Sequence, residues 1–287
     1  MFRDLTIIIF LFCIFFSPVS AELVQFWPGS DSVATADVME ICDGTGGRVL
    51  FATSNGLSIF DGEEWTTMHA MPKDNRGYLE GIPLDDYIQE LEYDHLNNLW
   101  IGYANGIQIY NGYSKPFTIR QTDGILFDVS VNKLKRQGRI MWIATGDSGV
   151  FYYYNGRFSW VQPGEPAGLT ANRISDLEVD YSTDILYASS ASGGQYFYSG
   201  GEGGLENISF QKISDPLINR DMTEIVSSPL GGVIFFNSTD AVFYRYPYGG
   251  EHIFNTGDLS PGTNKILDIS VSKNGRYIIG TDNGIFC

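Results

Sequence analysis

The chain has 287 residues, a formal net charge of −16 and three cysteines. A surplus of negative charge repels phosphate backbones and excludes nucleic acid as a main partner, and so few cysteines exclude a dense disulfide framework. The 33 glycines, the 14% aromatic content and the lack of long helical periodicity point to an all-β protein of short strands and tight turns.

Residues 1–21 read as a secretory signal. Arg3 precedes an apolar core from Thr6 to Phe16, and Ser17-Pro18-Val19-Ser20-Ala21 supplies the small residues that suit cleavage before Glu22. The core is too short to span a bilayer comfortably, and no later stretch is apolar enough to be a membrane helix. Losing Arg3 and Asp4 together leaves the mature charge at −16. Cys42 and Cys287 then remain, and sequence does not place them within bonding distance. The mature chain, residues 22–287, is expected to be one domain outside the cytoplasm.

Along that domain an apolar second strand, a polar turn and an alternating third strand recur. The clearest copy is residues 97–112, where Leu99-Trp100-Ile101-Gly102 leads through Asn105-Gly106 to Ile107 and Ile109 and closes on Asn111-Gly112. Asn-Gly between alternating hydrophobics is a strong hairpin signal. Copies align on Leu50, Trp100, Trp142, Leu186, Ile234 and Ile278. The period of about 40 to 50 residues, with four short strands per copy, is that of propeller blades, and six copies are visible. The connection over residues 70–85 is the longest and is a candidate binding loop. The sixth copy stops in its third strand at Gly284-Ile285-Phe286-Cys287. The run Val24-Gln25-Phe26-Trp27-Pro28-Gly29 matches Ser159-Trp160-Val161-Gln162-Pro163-Gly164, a fourth strand and its exit. Residues 22–27 are therefore expected to complete blade six and remove the open edges of the array. A piece of a longer multi-blade protein is the alternative.

Leu99-Trp100-Ile101-Gly102, Met141-Trp142-Ile143-Ala144-Thr145 and Gly56-Leu57-Ser58-Ile59-Phe60-Asp61-Gly62 carry a family resemblance. The unit resembles the two-component-regulator propeller repeat, strongly in blades one to three and six. The resemblance implies a β-propeller of the kind found in extracytoplasmic sensor regions. Such sensors continue into a membrane helix and a kinase, and no counterpart of either is found here.

Aligning the first strands places one acid just before the packing residue of each blade: Glu40, Glu90, Asp128, Asp176, Glu224 and Asp268. For Asp128 this requires a longer first hairpin over residues 131–139. First strands lie next to a propeller's axis, so the six acids would form a ring whose mutual repulsion calls for a cation such as Ca²⁺, a cationic ligand or raised pKa values. A solvated channel mouth, or hydrogen bonds to neighbouring strands, would account for them as well. The aromatic runs Tyr152-Tyr153-Tyr154, Tyr196-Phe197-Tyr198 and 243–248 fit packing between blades better than stacking on a ligand. His69, His95 and His252 show no metal-ligand spacing, and no nucleophile elbow, phosphate loop or zinc motif occurs. Asn207 and Asn237 head N-glycosylation triplets.

The expected function is a secreted or cell-surface binding module without catalysis, taking a protein, glycan or cationic ligand. A structural protein that assembles through propeller contacts is one alternative. An extracellular lyase or hydrolase using ring carboxylates is another.

Overall fold

The computed structural model describes residues 33–70, 83–110 and 129–287, apart from 36, 165, 191, 193 and 219–221, together with the strand backbones at 8–9, 24–25 and 117–119. Most of residues 1–32, most of the 70–85 loop and Asp128 lie outside the described residues.

The first two strands, β1 (Ile8–Ile9) and β2 (Val24–Gln25), pair antiparallel with Ile8 opposite Gln25. Residues 22, 23, 26 and 27 of the segment expected to complete blade six lie outside the described residues.

Blade one is β3 (Val38–Asp43), β4 (Val49–Thr53), β5 (Gly56–Phe60) and β6 (Trp65–Met68). Blade two is β7 (Glu90–Tyr93), β8 (Leu99–Tyr103), β9 (Gly106–Tyr110) and β10 (Phe117–Ile119). Blade three is β11 (Val131–Gln137), β12 (Ile140–Thr145), β13 (Val150–Tyr154) and β14 (Arg157–Val161). Blade four is β15 (Asp176–Asp180), β16 (Ile185–Ser190), β17 (Gly194–Tyr198) and β18 (Gln211–Lys212). Blade five is β19 (Glu224–Ser227), β20 (Val233–Phe236), β21 (Asp240–Arg245) and β22 (Gly249–Asn255). Blade six has three strands among the described residues, β23 (Ile266–Val271), β24 (Tyr277–Thr281) and β25 (Gly284–Phe286). Each sheet is an antiparallel meander, and the six are the blades of a six-bladed β-propeller. The chain divides into two compact units, Met1–Ile119 with blades one and two and Arg120–Cys287 with blades three to six.

The repeat motif has a local physical cause. Thr53, Thr145 and Thr281 end second strands, and each hydroxyl donates to a carbonyl across the turn, at Gly56, Gly149 and Gly284 respectively. Those glycines sit at φ +107°, +78° and +116°, a region that side chains disfavour, which is why the turn carries Gly. At the opposite blade end, Trp100 donates its indole N–H to Asp94 at 3.1 Å and Trp142 donates to Gln137 at 2.9 Å, so each first hairpin is pinned by its own core aromatic.

The core lies between blades. Trp142, Leu177, Leu186, Tyr196 and Phe210 interleave blades three and four, while Tyr187, Phe197, Ile225, Val233 and Val242 interleave four and five. In the first unit, Leu50, Leu57, Leu91, Leu99 and Ile101 join blades one and two. Backbone bonds reinforce these joints: Ile88 N–H donates to Thr53, Ile174 to Thr145 and Ile266 to Ser238, at 3.1, 3.0 and 2.7 Å. Cys42 and Cys287 are not bonded to one another.

Candidate functional site

Strand register decides which residues are equivalent. Glu40 pairs opposite Ala52, Glu90 opposite Gly102, Asp176 opposite Ser189, Glu224 opposite Phe236 and Asp268 opposite Gly280, all at the same distance from the turn that follows. Five of the six sequence-predicted acids therefore occupy one structural position. In blade three, β11 itself runs over Val131–Gln137, and the residue opposite Ala144 is Lys133. The segment taken as a long hairpin is the inner strand, and a lysine stands at its ring position. Register shifts precede this position in blades one, three and six, between Val38 and Glu40, Val131 and Lys133, and Ile266 and Asp268. Such bulges re-aim side chains at a fixed point of the strand.

The environments of these residues differ. In the first unit Glu40 is half-buried and Glu90 is buried. In the second, Asp176 is only 4% exposed, Lys133 is half-buried, and Glu224 and Asp268 are exposed. Asp176 accepts the N–H of Leu177 through Oδ1 at 2.8 Å and, through Oδ2, the N–H of Ile225 in blade five at 2.7 Å. Burial pushes its carboxyl up to about 7; Glu224 and Glu178 act in the same direction, while Lys133 and the Ile225 N–H act against it. Asp268 likewise accepts the N–H of the next residue, Ile269, at 2.7 Å.

Two residues along each strand lies a second rung. Lys135 reaches both oxygens of Glu178, at 2.7 and 2.8 Å, and its ammonium stands 5.8 Å from the centre of the Tyr181 ring. Further along, Asp180 accepts from Ser182, Thr183 and the Gly232 N–H of blade five, and Gln137 donates to the Asp184 carbonyl of blade four. The inner strands of blades three and four thus carry alternating charges that satisfy one another. Sequence reasoning missed Lys133 and Lys135; their spacing at i and i+2, matching Asp176 and Glu178, was the available signal. Among the described residues, no three His, Cys, Asp or Glu side chains gather closely enough to hold a metal ion. His69 lies 3.6 Å from Asp86, and His95 and His252 are exposed.

A concave groove of about 600 Å³ opens between the outer parts of blades three and four. One wall is β13 and β14, where the cross-strand pairs Tyr152–Ser159 and Tyr154–Arg157 present their side chains together. The other wall is Glu202, Leu205 and Glu206 from a 3-10 segment, Gly201–Asn207. That segment lies in an extended connection, residues 199–210, between the third and fourth strands of blade four; the corresponding connections in blades one, three and five are only 61–64, 155–156 and 246–248. Arg139 clamps it: the guanidinium donates to Glu202 at 2.8 and 2.6 Å and to the Tyr154 hydroxyl at 2.6 Å, and the Arg139 N–H also donates to Glu202. Tyr152 packs against Trp142 with ring centres 5.4 Å apart, so it serves the core and the groove together. The length of the 199–210 connection is the sequence feature that marks this site.

Asn207 ends the same segment and is exposed. Asn237 is half-buried, and its side-chain oxygen accepts from the Thr239 N–H and hydroxyl and the Asp240 N–H.

No family model matches the chain, and no curated protein does. Among solved structures it is similar to the extracellular domain of the hybrid two-component system BT3049 of B. thetaiotaomicron, at 19% identity and TM-score 0.67, over 88% of this chain and 33% of that one. The extracellular domain of BT4673 from B. thetaiotaomicron matches at 18% identity and TM-score 0.64, over 91% of this chain and 32% of that one. A streptogramin B lyase matches at 12% and 0.62, over 92% of this chain and 82% of the lyase. The chain thus spans about a third of the length of the two-component extracellular domains it matches. At these identities the likeness is one of fold, and it agrees with the propeller repeat that the Leu-Trp-Ile-Gly motif resembles.

Proposed function

We propose that this protein is an extracytoplasmic β-propeller that binds a protein or glycan ligand and performs no chemistry on it. The observation that supports this reading is the groove between blades three and four. An extended connection forms one wall of it, a guanidinium clamp fixes that wall, and tyrosine rings mix with both donors and acceptors at its surface. Rigid scaffolds with one elaborated loop are where recognition concentrates. Arrayed glycans and peptides, screened with the full chain, supply a ligand. The Arg157→Ala/Glu206→Gln double variant changes two exposed groove residues and is expected to lose at least tenfold in affinity while folding normally. Unchanged affinity would move the site elsewhere, and release of a cleaved product would make the protein an enzyme.

The exposure of Glu224 and Asp268 on adjacent inner strands favours a second reading, in which a cationic ligand sits at the axial face. A Glu224→Gln/Asp268→Asn variant that loses the ligand while the groove variant keeps it would establish that alternative.

A further inference from the structure

The groove between blades three and four carries two charges that the fold itself does not use. Arg157 stands on the β14 wall, and Glu206 stands on the facing wall formed by Gly201–Asn207. Both are exposed, and among the described residues neither has an ion-pair or hydrogen-bond partner, so they do not neutralise each other. Their neighbours Arg139 and Glu202 do, with the Tyr154 hydroxyl bonded to both. Asn155 and the hydroxyls of Tyr152 and Ser159 add further polar groups without hydrogen-bond partners among the described residues. Leu205 and the tyrosine rings supply the apolar lining.

These groups select a class of ligand. Arg157 calls for a carboxylate and Glu206 for an ammonium or guanidinium. A purely acidic ligand meets Glu206 and the chain's net charge of −16, and a purely basic one meets Arg157. A neutral glycan would desolvate both ions and return no counter-charge. The rings it would stack on are also engaged: the Arg139 guanidinium lies 5.2 Å from the centre of the Tyr154 ring, and Tyr152 packs against Trp142. A peptide brings acid, base and apolar side chain together on one extended backbone. β14 is the outermost strand of blade three, an edge along which such a backbone can pair. We infer that the groove takes a short extended peptide in which an acidic and a basic side chain flank an apolar one, the acid on Arg157, the base on Glu206 and the apolar side chain on Tyr152 and Leu205. The inference rests on the groove being the binding site and adds the class of ligand and its charge order.

Binding of the full chain to an array of synthetic peptides tests it. The array holds peptides with the acid before the base and the reverse, peptides with one charge or none, and neutral oligosaccharides. Hits are expected only among peptides that carry both charges. Arg157→Glu and Glu206→Lys should each weaken the best peptide by about tenfold or more, since each sets like charges against one another. The Arg157→Glu/Glu206→Lys double variant should instead prefer the peptide with its two charges exchanged. These substitutions change exposed side chains and are expected to fold normally. Gly203→Trp distinguishes the ligand class from the place: Gly203 lines the groove and a Cβ there meets nothing within 4 Å, so the variant is expected to fold and to block the groove. A ligand that Gly203→Trp excludes, but that is uncharged or indifferent to the charge exchange, overturns the peptide class and leaves the groove as the site. Peptide binding that Gly203→Trp leaves intact overturns the groove itself. An array without a hit among the doubly charged peptides overturns the inference as well.

Discussion

The ion pair between Lys135 and Glu178 gives a sharp test of how blades three and four are joined. Its side chains are 16% and 8% exposed, and Nζ lies 2.7 Å from one carboxylate oxygen and 2.8 Å from the other. At an effective dielectric of about 20 the gross attraction at such a distance is roughly 6 kcal/mol. Desolvating two ions costs several kcal/mol each, so the pair contributes little net stability. Removing one partner is different. Lys135→Met keeps the aliphatic stem and strands the Glu178 charge beside the buried Asp176. The expected loss is about 3–5 kcal/mol, the range seen when a buried pair is broken. For a protein of this size that is a fall in Tm of roughly 10 °C. The Lys135→Met/Glu178→Leu double variant removes both charges and is expected to fall within about 1 kcal/mol of the parent, since a hydrophobic pair of similar volume commonly replaces a buried ion pair at no loss. Urea unfolding followed by tryptophan fluorescence measures all three proteins. A Lys135→Met loss below about 1 kcal/mol, or a double variant as unstable as the single one, would refute this account of the joint.

Trp142 is fully buried against Tyr152, Tyr198 and Phe210, and Trp142→Ala should cost about 3–5 kcal/mol in urea unfolding, by loss of contacts and by the cavity left behind. Stability should also depend on pH through Asp176. Its folded pKa, about 7, stands above the unfolded value of 3.8, so across that window the native state keeps a proton that the unfolded chain has released. Stability is then greatest at the acid end of the window, falls as pH rises and levels off above 7; urea midpoints at pH 5, 6 and 8 measure the trend, which Asp176→Asn should flatten. In a host that performs N-glycosylation, peptide mass spectrometry should find Asn207 modified and Asn237 bare. The reason is that Asn207 is exposed at a segment end, while the Asn237 oxygen is held by three donors within its turn.

The blade count, the turn positions and the acid-bearing strand position were legible in the sequence because each rests on a local backbone demand. Gly56, Gly106 and Gly284 must adopt positive φ, and a residue type so constrained leaves a periodic trace. Blade three was misaligned for an equally local reason. The bulge after Val131 breaks period-2 alternation, so Val131 to Gln137 reads as part of a longer first hairpin when it is the inner strand. In blade four the run Ile185-Leu186-Tyr187-Ala188 is apolar throughout, and alternation cannot fix its register. Tyr187, paired with Glu178 and Phe197, is the true counterpart of Trp100 and Trp142, one residue beyond the predicted Leu186.

Charge partners were the least legible feature, because they lie on neighbouring blades. Lys135 and Glu178 are 43 residues apart in the chain, and nothing local marks them as a pair. Their effect is to divide the inner strands of the second unit into two kinds. Blades three and four carry both signs, bury them and bind them to one another, whereas the acids of blades five and six, Glu224 and Asp268, face solvent. A set of equivalent positions that is compensated on one side and open on the other is no longer a symmetric acidic ring. Whatever approaches the axial face of this unit therefore meets negative charge on blades five and six, while Lys135 of blade three is already committed to Glu178.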